Sequence, residues 1–211
     1  MSVLQKGMLI EYGLSVPPLA LVFDFNPQQI SRSRTVTIKT GDAPGSRGGY
    51  DFLSPLETPR VAQGVEMQAE TFSIDILLDA TDKMNEGDPI ANAVGVQPQI
   101  DTLRSMLEPK VQGPTGLRTL ASLSTGLGTR AFERSESASI LIFHWGLQNL
   151  AVFLTGVAQK EVLHLPNLTP YRAEMNLSMQ VIESNNPFFI ADKIRQTAMT
   201  ALNAVSGFGA F

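Results

Sequence analysis

The chain has 211 residues, of which 43% are hydrophobic, so it can bury a full core in one large β domain with helical additions. It contains no cysteine, which excludes disulfides and thiolate metal sites and favours a reducing compartment. A formal net charge of −4 argues against nucleic acid as a partner, because a phosphate backbone calls for a basic face. No window reaches the roughly 18 to 20 apolar residues of a membrane span.

The first forty residues alternate apolar and polar side chains, which predicts short strands. We expect a short strand at 8–12, a clear strand at 19–26 that ends at Asn26-Pro27, and another at 33–39. A hairpin through 28–31 would join the last two, with the first strand alongside.

Residues 40–63 are rich in Gly, Pro and polar residues and are longer than most unstructured loops. A segment with so little core of its own is ordered most easily against another subunit. Tyr50 and Phe52 are therefore predicted interface residues of this loop.

The cleanest alternation lies at 68–78 and predicts an unusually long strand of roughly 36 Å. A polar linker is expected at 79–95. A helix follows with Pro98 in its first turn and Ile100, Leu103 and Leu107 in one stripe, and Pro109 ends it. We expect a second long loop at 110–137.

The last β unit is predicted as strands at 139–145 and 150–161, joined by a turn at 146–149. After a Pro-rich corner at 166–170, a strand at 172–183 has one apolar and one polar face. The β domain is thus expected to span 1–184.

Residues 185–211 are predicted to form a C-terminal helix and an aromatic tail. Asn186-Pro187 resembles a helix cap with proline at the first position. Phe208 and Phe211 would be awkward on a free monomer, so they are predicted interface residues. The helix is predicted to be amphipathic, with a stripe of Ile190, Ile194, Ala198, Ala201 and Val205.

Few residue patterns point to chemistry. His144 lies within a strand and His164 in a corner, and a structural role is favoured for both. The acidic residues Asp79, Asp82, Glu86 and Asp88 suggest a cation, but their spacing does not match an EF-hand and favours a solvated loop.

The Gly-rich segments at 113–116 and 125–130 lack the Gly-Lys-Ser/Thr ending of a phosphate-binding loop. No serine lies in a Gly-x-Ser-x-Gly turn. We therefore expect no catalytic residue, no cofactor and no metal. Trp145 is interpreted as a core or interface residue rather than a carbohydrate-stacking one.

The order of several short motifs resembles the tube-type domain of contractile injection systems, the phage-tail-like particles. The likeness covers about residues 5–184 and is greatest to the baseplate proteins that join the spike hub to the inner tube. The motifs are Phe23-x-Phe25-Asn26-Pro27, the strand 72–79, Ile142-Phe143-His144-Trp145-Gly146, and Pro170-Tyr171-Arg172-Ala173-Glu174 leading to Val181-Ile182-Glu183.

This resemblance implies a mainly β (α+β) tail-tube fold, a β-sandwich or barrel with a flanking helix, and a hexameric ring. It implies a non-enzymatic structural role with the spike or hub protein, the inner tube protein and other baseplate proteins as partners. Assembly in the cytoplasm, within a phage-tail-like particle, is expected. Many members of that family carry a LysM domain after the tube domain; residues 185–211 are expected to form a helix and tail instead, so peptidoglycan binding is not carried over.

The strands at 68–78 and 172–183 would line the ring, with Glu174, Asn176, Ser178 and Gln180 facing the lumen. Three alternatives stay open. The chain could be the inner tube or tube-terminator protein of the same machine. It could be a monomeric β-sandwich that binds a small ligand or carbohydrate through Trp145, or a metal-dependent enzyme that uses the acidic residues at 79–88.

Overall fold

A seven-stranded antiparallel sheet forms the body of the protein. The computed structural model describes residues 6–13, 15, 19–23, 27, 29–40, 63–112, 118–120 and 136–208. From edge to edge the strands are β2 (Ala20–Val22), β1 (Met8–Glu11), β10 (Ile140–Trp145), β11 (Gln148–His164), β12 (Pro170–Val181), β6 (Thr71–Asp79) and β3 (Ile30–Ser33).

The mainly β class is therefore confirmed, but the sheet is open and does not close into a barrel. Its edges in the described part are β2 and β3. The expected hairpin between the strands at 19–26 and 33–39 is wrong, because β2 pairs with β1, and the strand expected at 33–39 falls mainly on Val36–Thr40, which pairs with Gln63–Met67. The expected pairing of the 8–12 strand beside the 19–26 strand is confirmed.

The long strand expected at 68–78 is shorter in the structure. Residues 68–70 interrupt the alternation, so β6 begins at Thr71 and β5 (Gln63–Met67) is a separate strand. Together β4 (Val36–Thr40) and β5 form a two-stranded antiparallel ribbon. Its base is fixed to the end of β12, where the Arg34 Nη2 atom donates to both Glu183 carboxylate oxygens at 2.8 and 2.7 Å.

The polar linker expected at 79–95 is wrong, because two short helices occupy it: α1 (Thr81–Asn85) and α2 (Pro89–Val94). The Asp88 carboxylate caps α2 by accepting the Ile90 N–H at 2.9 Å. Gly95 ends α2 at φ +55°, and a Cβ there would lie 2.3 Å from the Pro170 carbonyl oxygen. Glycine is therefore required for this close approach of α2 to β12.

The helix expected before Pro109 is confirmed as α3 (Gln97–Leu107). Ile100 and Leu103 are buried as predicted, but Met106 completes the buried stripe while Leu107 is 40% exposed. The helix packs against the apolar face of the sheet near β11 and β2.

The loop expected at 110–137 contains three short strands, which form a second sheet. The order is β8 (Arg118–Leu120), β7 (Lys110–Gln112), β9 (Glu136–Ser137). A buried ion pair joins this sheet to β1: the Lys110 Nζ atom lies 2.6 and 2.5 Å from the two Glu11 carboxylate oxygens, and the Ser15 hydroxyl donates to the same carboxylate. Burial of the pair is offset because the Lys110 ammonium binds both carboxylate oxygens of Glu11 and Ser15 adds a further hydrogen bond to that carboxylate.

The hairpin expected near residue 146 is confirmed, with β10 and β11 joined at Gly146 and Leu147. Gly146 has φ +57°, a backbone conformation that glycine adopts without steric cost. The corner before β12 is also confirmed as a turn at 166–168.

The C-terminal helix is confirmed as α4 (Pro187–Phe208). The Asn186 side chain accepts the Phe188 N–H at 3.0 Å, which is the predicted cap. The first turns of α4 pack on β11, and the Phe188 ring contacts the edge of the Tyr12 ring. None of the described helices is long and apolar enough to cross a membrane.

Candidate functional site

One face of β12 is polar and the other is buried, as the alternation predicted. Glu174, Asn176 and Gln180 are exposed and Ser178 is half-buried, while the residues between them lie in the core. The four residues predicted to face a lumen therefore lie on one face of one strand.

Strand register extends this polar face across four neighbouring strands. Ser31 on β3 lies opposite Ser73 on β6, Ser73 lies opposite Ser178 on β12, and Ser178 lies opposite Gly156 on β11. Since directly opposite residues point to the same side of a sheet, these four form a smooth row of small side chains.

Further along the strands the face carries paired polar groups. The Asn176 Nδ2 atom donates to the Asp75 Oδ1 atom at 2.6 Å, and the Lys160 Nζ atom lies 2.8 Å from the Glu174 Oε2 atom. Lys160 and Glu174 are 73% and 55% exposed, so solvent weakens their attraction.

At the end of β6 the carboxylate of Asp79 is buried, and both of its oxygens accept hydrogen bonds. Thr81 donates to it from its backbone and its hydroxyl, and the Arg172 guanidinium donates from two nitrogens. Burial raises the pKa of Asp79, but the Thr81 and Arg172 hydrogen bonds outweigh burial and hold that pKa below its ordinary value.

An open groove of about 840 Å³ lies on the polar face. Its lining comes from β6, β12 and β11, with Gln29 and Pro27 at one side. Its charged groups, Glu174 and Lys160, bind each other, and Asp75 binds Asn176. The charged side chains among the described lining residues are thus paired with neighbouring side chains and do not converge on one point where a ligand could bind.

Two edges of the sheet bound the polar face. β10 pairs with β11 only as far as Phe153, whereas β12 pairs with β11 as far as His164. Residues 155–164 of β11, called here the β11 overhang, therefore have no described strand on one side. The outer edge of β3 is likewise unpaired in the described part of the chain.

The acidic residues at 79–88 are not brought together around a common point. Asp79 binds Arg172 and Thr81, and Asp88 caps α2. Within the described ranges there is no group of three or more His, Asp or Glu side chains placed to hold a metal ion.

The histidines and the tryptophan occupy separate places. The His144 Nδ1 atom lies 2.6 Å from the Asn149 Oδ1 atom, and the His164 Nε2 atom lies 3.0 Å from the Glu161 Oε2 atom. Trp145 stacks on Phe143 and packs against the core, so it does not line the groove.

The predicted interface residues fall mostly outside the described residues. Tyr50, Phe52 and Phe211 lie outside them, and Phe208 is the last residue of α4 with its side chain also outside.

Two apolar surfaces were not predicted as sites from the sequence. One is a stripe on α4, whose residues point away from the sheet: Ile190, Ala191, Ile194, Ala198, Ala201 and Leu202, called here the α4 stripe. The other is the ribbon face, formed by Val36, Ile38 and Met67. Periodicity does reveal each apolar face, but it does not tell which side of the element the protein body covers.

No protein-family model matches the chain, and no curated protein matches it.

Proposed function

We propose that the protein is a ring-forming structural subunit of a contractile injection system, in the baseplate layer that joins the spike hub to the inner tube. The proposal extends the sequence resemblance to tube-type domains. The observation that carries it is the pair of unpaired sheet edges, the β11 overhang and β3, on the two sides of the polar face.

Strand directions make these two edges complementary. β11, β12, β6 and β3 each run antiparallel to the next, so β3 runs opposite to β11. A second copy that placed its β11 overhang beside β3 would therefore form another antiparallel pair. Repeating this step adds four strands per copy in the same alternation, and a closed ring would leave neither the β11 overhang nor β3 unpaired, while β2 would stay outside the ring wall.

The polar face would then line the lumen of the ring. Its small row of Ser31, Ser73, Ser178 and Gly156 and its internally paired charges give a smooth, hydrated wall. A wall of this kind suits a channel through which other molecules slide, because it offers few groups that would hold them. The spike hub and inner tube proteins would bind above and below.

Two single proline substitutions at neighbouring positions of the β11 overhang test the proposed ring. Consecutive residues of a strand direct their N–H groups to opposite sides, so one of Ala158→Pro and Gln159→Pro removes a bond to β12 and the other removes an N–H at the open edge. Gln159→Ala accounts for the separate loss of the Gln159 side-chain bonds to Arg104 and Glu161. We expect the variant that loses the open-edge N–H to keep the thermal stability of the wild-type monomer but to lose ring formation. Native mass spectrometry and electron microscopy measure the loss of rings.

The variant that breaks the bond to β12 serves as the matched control, since it carries the same substitution one residue away and is expected to melt at a lower temperature. If the variant that loses the open-edge N–H formed as many rings as the wild type, the edge-pairing proposal would be wrong. A wild-type protein that stays monomeric at high concentration, alone and with hub and tube proteins, would do the same.

A further inference from the structure

The β4–β5 ribbon continues the paired strands β3 and β6 beyond an irregular step. Ser33 lies opposite Thr71 in the last pair of the sheet, and Val36 lies opposite Met67 in the first pair of the ribbon. Between these pairs, two residues on one chain face three on the other. One extra residue on one side is the count of a β-bulge, which interrupts the ladder between two strands. The ribbon joint, as it is called here, consists of residues 34–35 and 68–70.

Packing does not fix the direction of the ribbon relative to the sheet. Among the described elements, β4 and β5 contact mainly each other. Every ribbon residue whose burial is described is exposed, namely 36–38, 66 and 67. The direction of the ribbon therefore depends on the contacts made at the joint.

One carboxylate binds both chains of the joint. The Arg34 Nη2 atom donates to the two carboxylate oxygens of Glu183 at 2.8 and 2.7 Å, and the Glu70 N–H donates to one of them at 3.1 Å. Glu183 follows β12, so it belongs to the sheet side of the joint. The Arg34 and Glu183 side chains are only 22% and 24% exposed, so solvent screens their attraction less than that of a surface pair.

Backbone hydrogen bonds place the pivot between Gln68 and Glu70. The Val181 N–H donates to the Glu70 carbonyl at 2.8 Å, which keeps Glu70 with the sheet. The Gln68 N–H donates to the Thr35 carbonyl at 3.0 Å, which keeps Gln68 with the ribbon. On the other chain, the ion pair of Arg34 is the contact that ties the joint to the sheet.

The ion pair uses only part of the bonding capacity of the Arg34 guanidinium. Both Glu183 oxygens bind the same nitrogen, whereas the strongest arginine–carboxylate pairs use two nitrogens side by side. The Arg34 Nε atom is buried and has no hydrogen-bond partner among the residues that the structure describes. The pair therefore holds the ribbon less firmly than a two-nitrogen pair would.

We propose that the ribbon is a hinged arm and that the Arg34–Glu183 ion pair is the lock of its hinge. When the pair breaks, the ribbon swings about the joint as one unit, because β4 and β5 stay joined through five residue pairs. The swing redirects the exposed apolar side chains of the ribbon face. The inference goes beyond the proposed ring, since a hinge is a property of one subunit and does not depend on whether rings form.

The absence of cysteine allows spin labels at chosen positions of the full chain. Thr37→Cys in the ribbon and Ala93→Cys in α2 are both exposed, and pulsed electron paramagnetic resonance measures the distance between their labels. Dilution with excess unlabelled protein restricts the measurement to labels of one copy. With Glu183 intact we expect one narrow distribution. With Glu183→Gln we expect a second population roughly tenfold larger, because a hydrogen bond to a charged acceptor is worth about that factor.

Matched controls separate a hinge from a general loosening of the fold. Glu174→Gln also removes the charge of a paired glutamate, and it should leave the distribution narrow. A label moved to the sheet side of the joint, at Ser31→Cys, should keep a narrow distance to Ala93→Cys in every variant. Deletion of Ala69 gives the two chains of the joint equal length, so we expect it to keep the ribbon distance narrow even with Glu183→Gln.

Three results would overturn the inference. An unchanged distance between the labels at 37 and 93 in Glu183→Gln would show that the ion pair does not lock the ribbon. A broad distance that survives the deletion of Ala69 would show that the motion does not take place at the joint. A broadened distance between the labels at 31 and 93 would show that the sheet itself loosens.

Discussion

The two halves of β11 are built differently. Residues 150–154 are buried or half-buried on both faces, between β10 and β12, with α4 over one side. Residues 158 and 160–164 are exposed, and the overhang to which they belong has a strand on one side only. One continuous strand thus passes from the core of the subunit to its unpaired edge.

Under the proposed ring, the same hydrogen-bonded strand serves two purposes. The first half is held by packing, so its side chains decide whether the subunit folds. The second half contributes little buried area, so its backbone and direction matter more than its side chains. Substitutions should therefore separate folding from assembly along this one strand.

The largest expected effect is on the cluster of aromatic side chains beside the first half of β11. Phe143 is fully buried and contacts the rings of Phe23, Phe72 and Trp145. Phe143→Ala would leave a cavity, and we expect the free energy of unfolding to fall by about 3–5 kcal/mol. Chemical denaturation of the monomer measures this.

The matched control for that change is Val162→Ala in the overhang, where the side chain is 40% exposed. A loss of about 0.5 kcal/mol or less is expected there. Similar losses at the two positions would contradict the division of β11 into a half that carries folding and a half proposed for assembly.

A smaller effect is expected at Asp79, at the end of β6, where β12 separates it from the overhang. Its pKa is lower in the folded protein, so its ionised form stabilises the fold above the ordinary pKa, and this contribution is lost as the pH falls through the folded pKa. At neutral pH we expect Asp79→Asn to lower the free energy of unfolding by about 1.5–3 kcal/mol, because Arg172 loses a charged acceptor.

The pH dependence provides the control for Asp79. Below the folded pKa the wild type carries a neutral carboxyl, so the stabilities of the wild type and the Asn variant should approach each other in acid. A difference between the two that stays constant from neutral pH into acid would show that the Asp79 charge does not stabilise the fold.

The smallest effect is expected on the polar face itself. Lys160→Gln removes the exposed ion pair with Glu174, and we expect a change of about 1 kcal/mol or less in the free energy of unfolding, since solvent screens such pairs. A larger loss in the denaturation midpoint would mean that this face contributes to folding and is not simply a hydrated wall.

The sequence predicts those elements whose signals are local. Pro98 and Pro109 bracket α3, Asn186-Pro187 starts α4, and Gly146 turns the β10–β11 hairpin. The helix α2 carries the same signal, a capping Asp88 followed by Pro89, and was missed because the acidic residues around it suggest a polar linker.

Other features depend on partners far apart in the chain. The pairing of β3 with β6, instead of with β2, joins segments roughly forty residues apart along the chain. Loop closure alone would favour the nearer strand, so the sequence pattern does not reveal this pairing. From the sequence alone Lys110 looks like an ordinary solvated lysine, because its partner Glu11 lies 99 positions earlier in the chain. The orientation of the α4 stripe follows from where Phe188 and Phe189 pack.

The Glu11–Lys110 pair has a consequence for how the chain is made. During synthesis Glu11 leaves the ribosome long before Lys110, and a lone carboxylate cannot enter a dry interior at reasonable cost. Strand β1 must therefore wait for the middle of the polypeptide, and for β10 beyond it, before it takes its place. Strand β1 is thus made early but can complete its contacts only after Lys110 and β10 have been made.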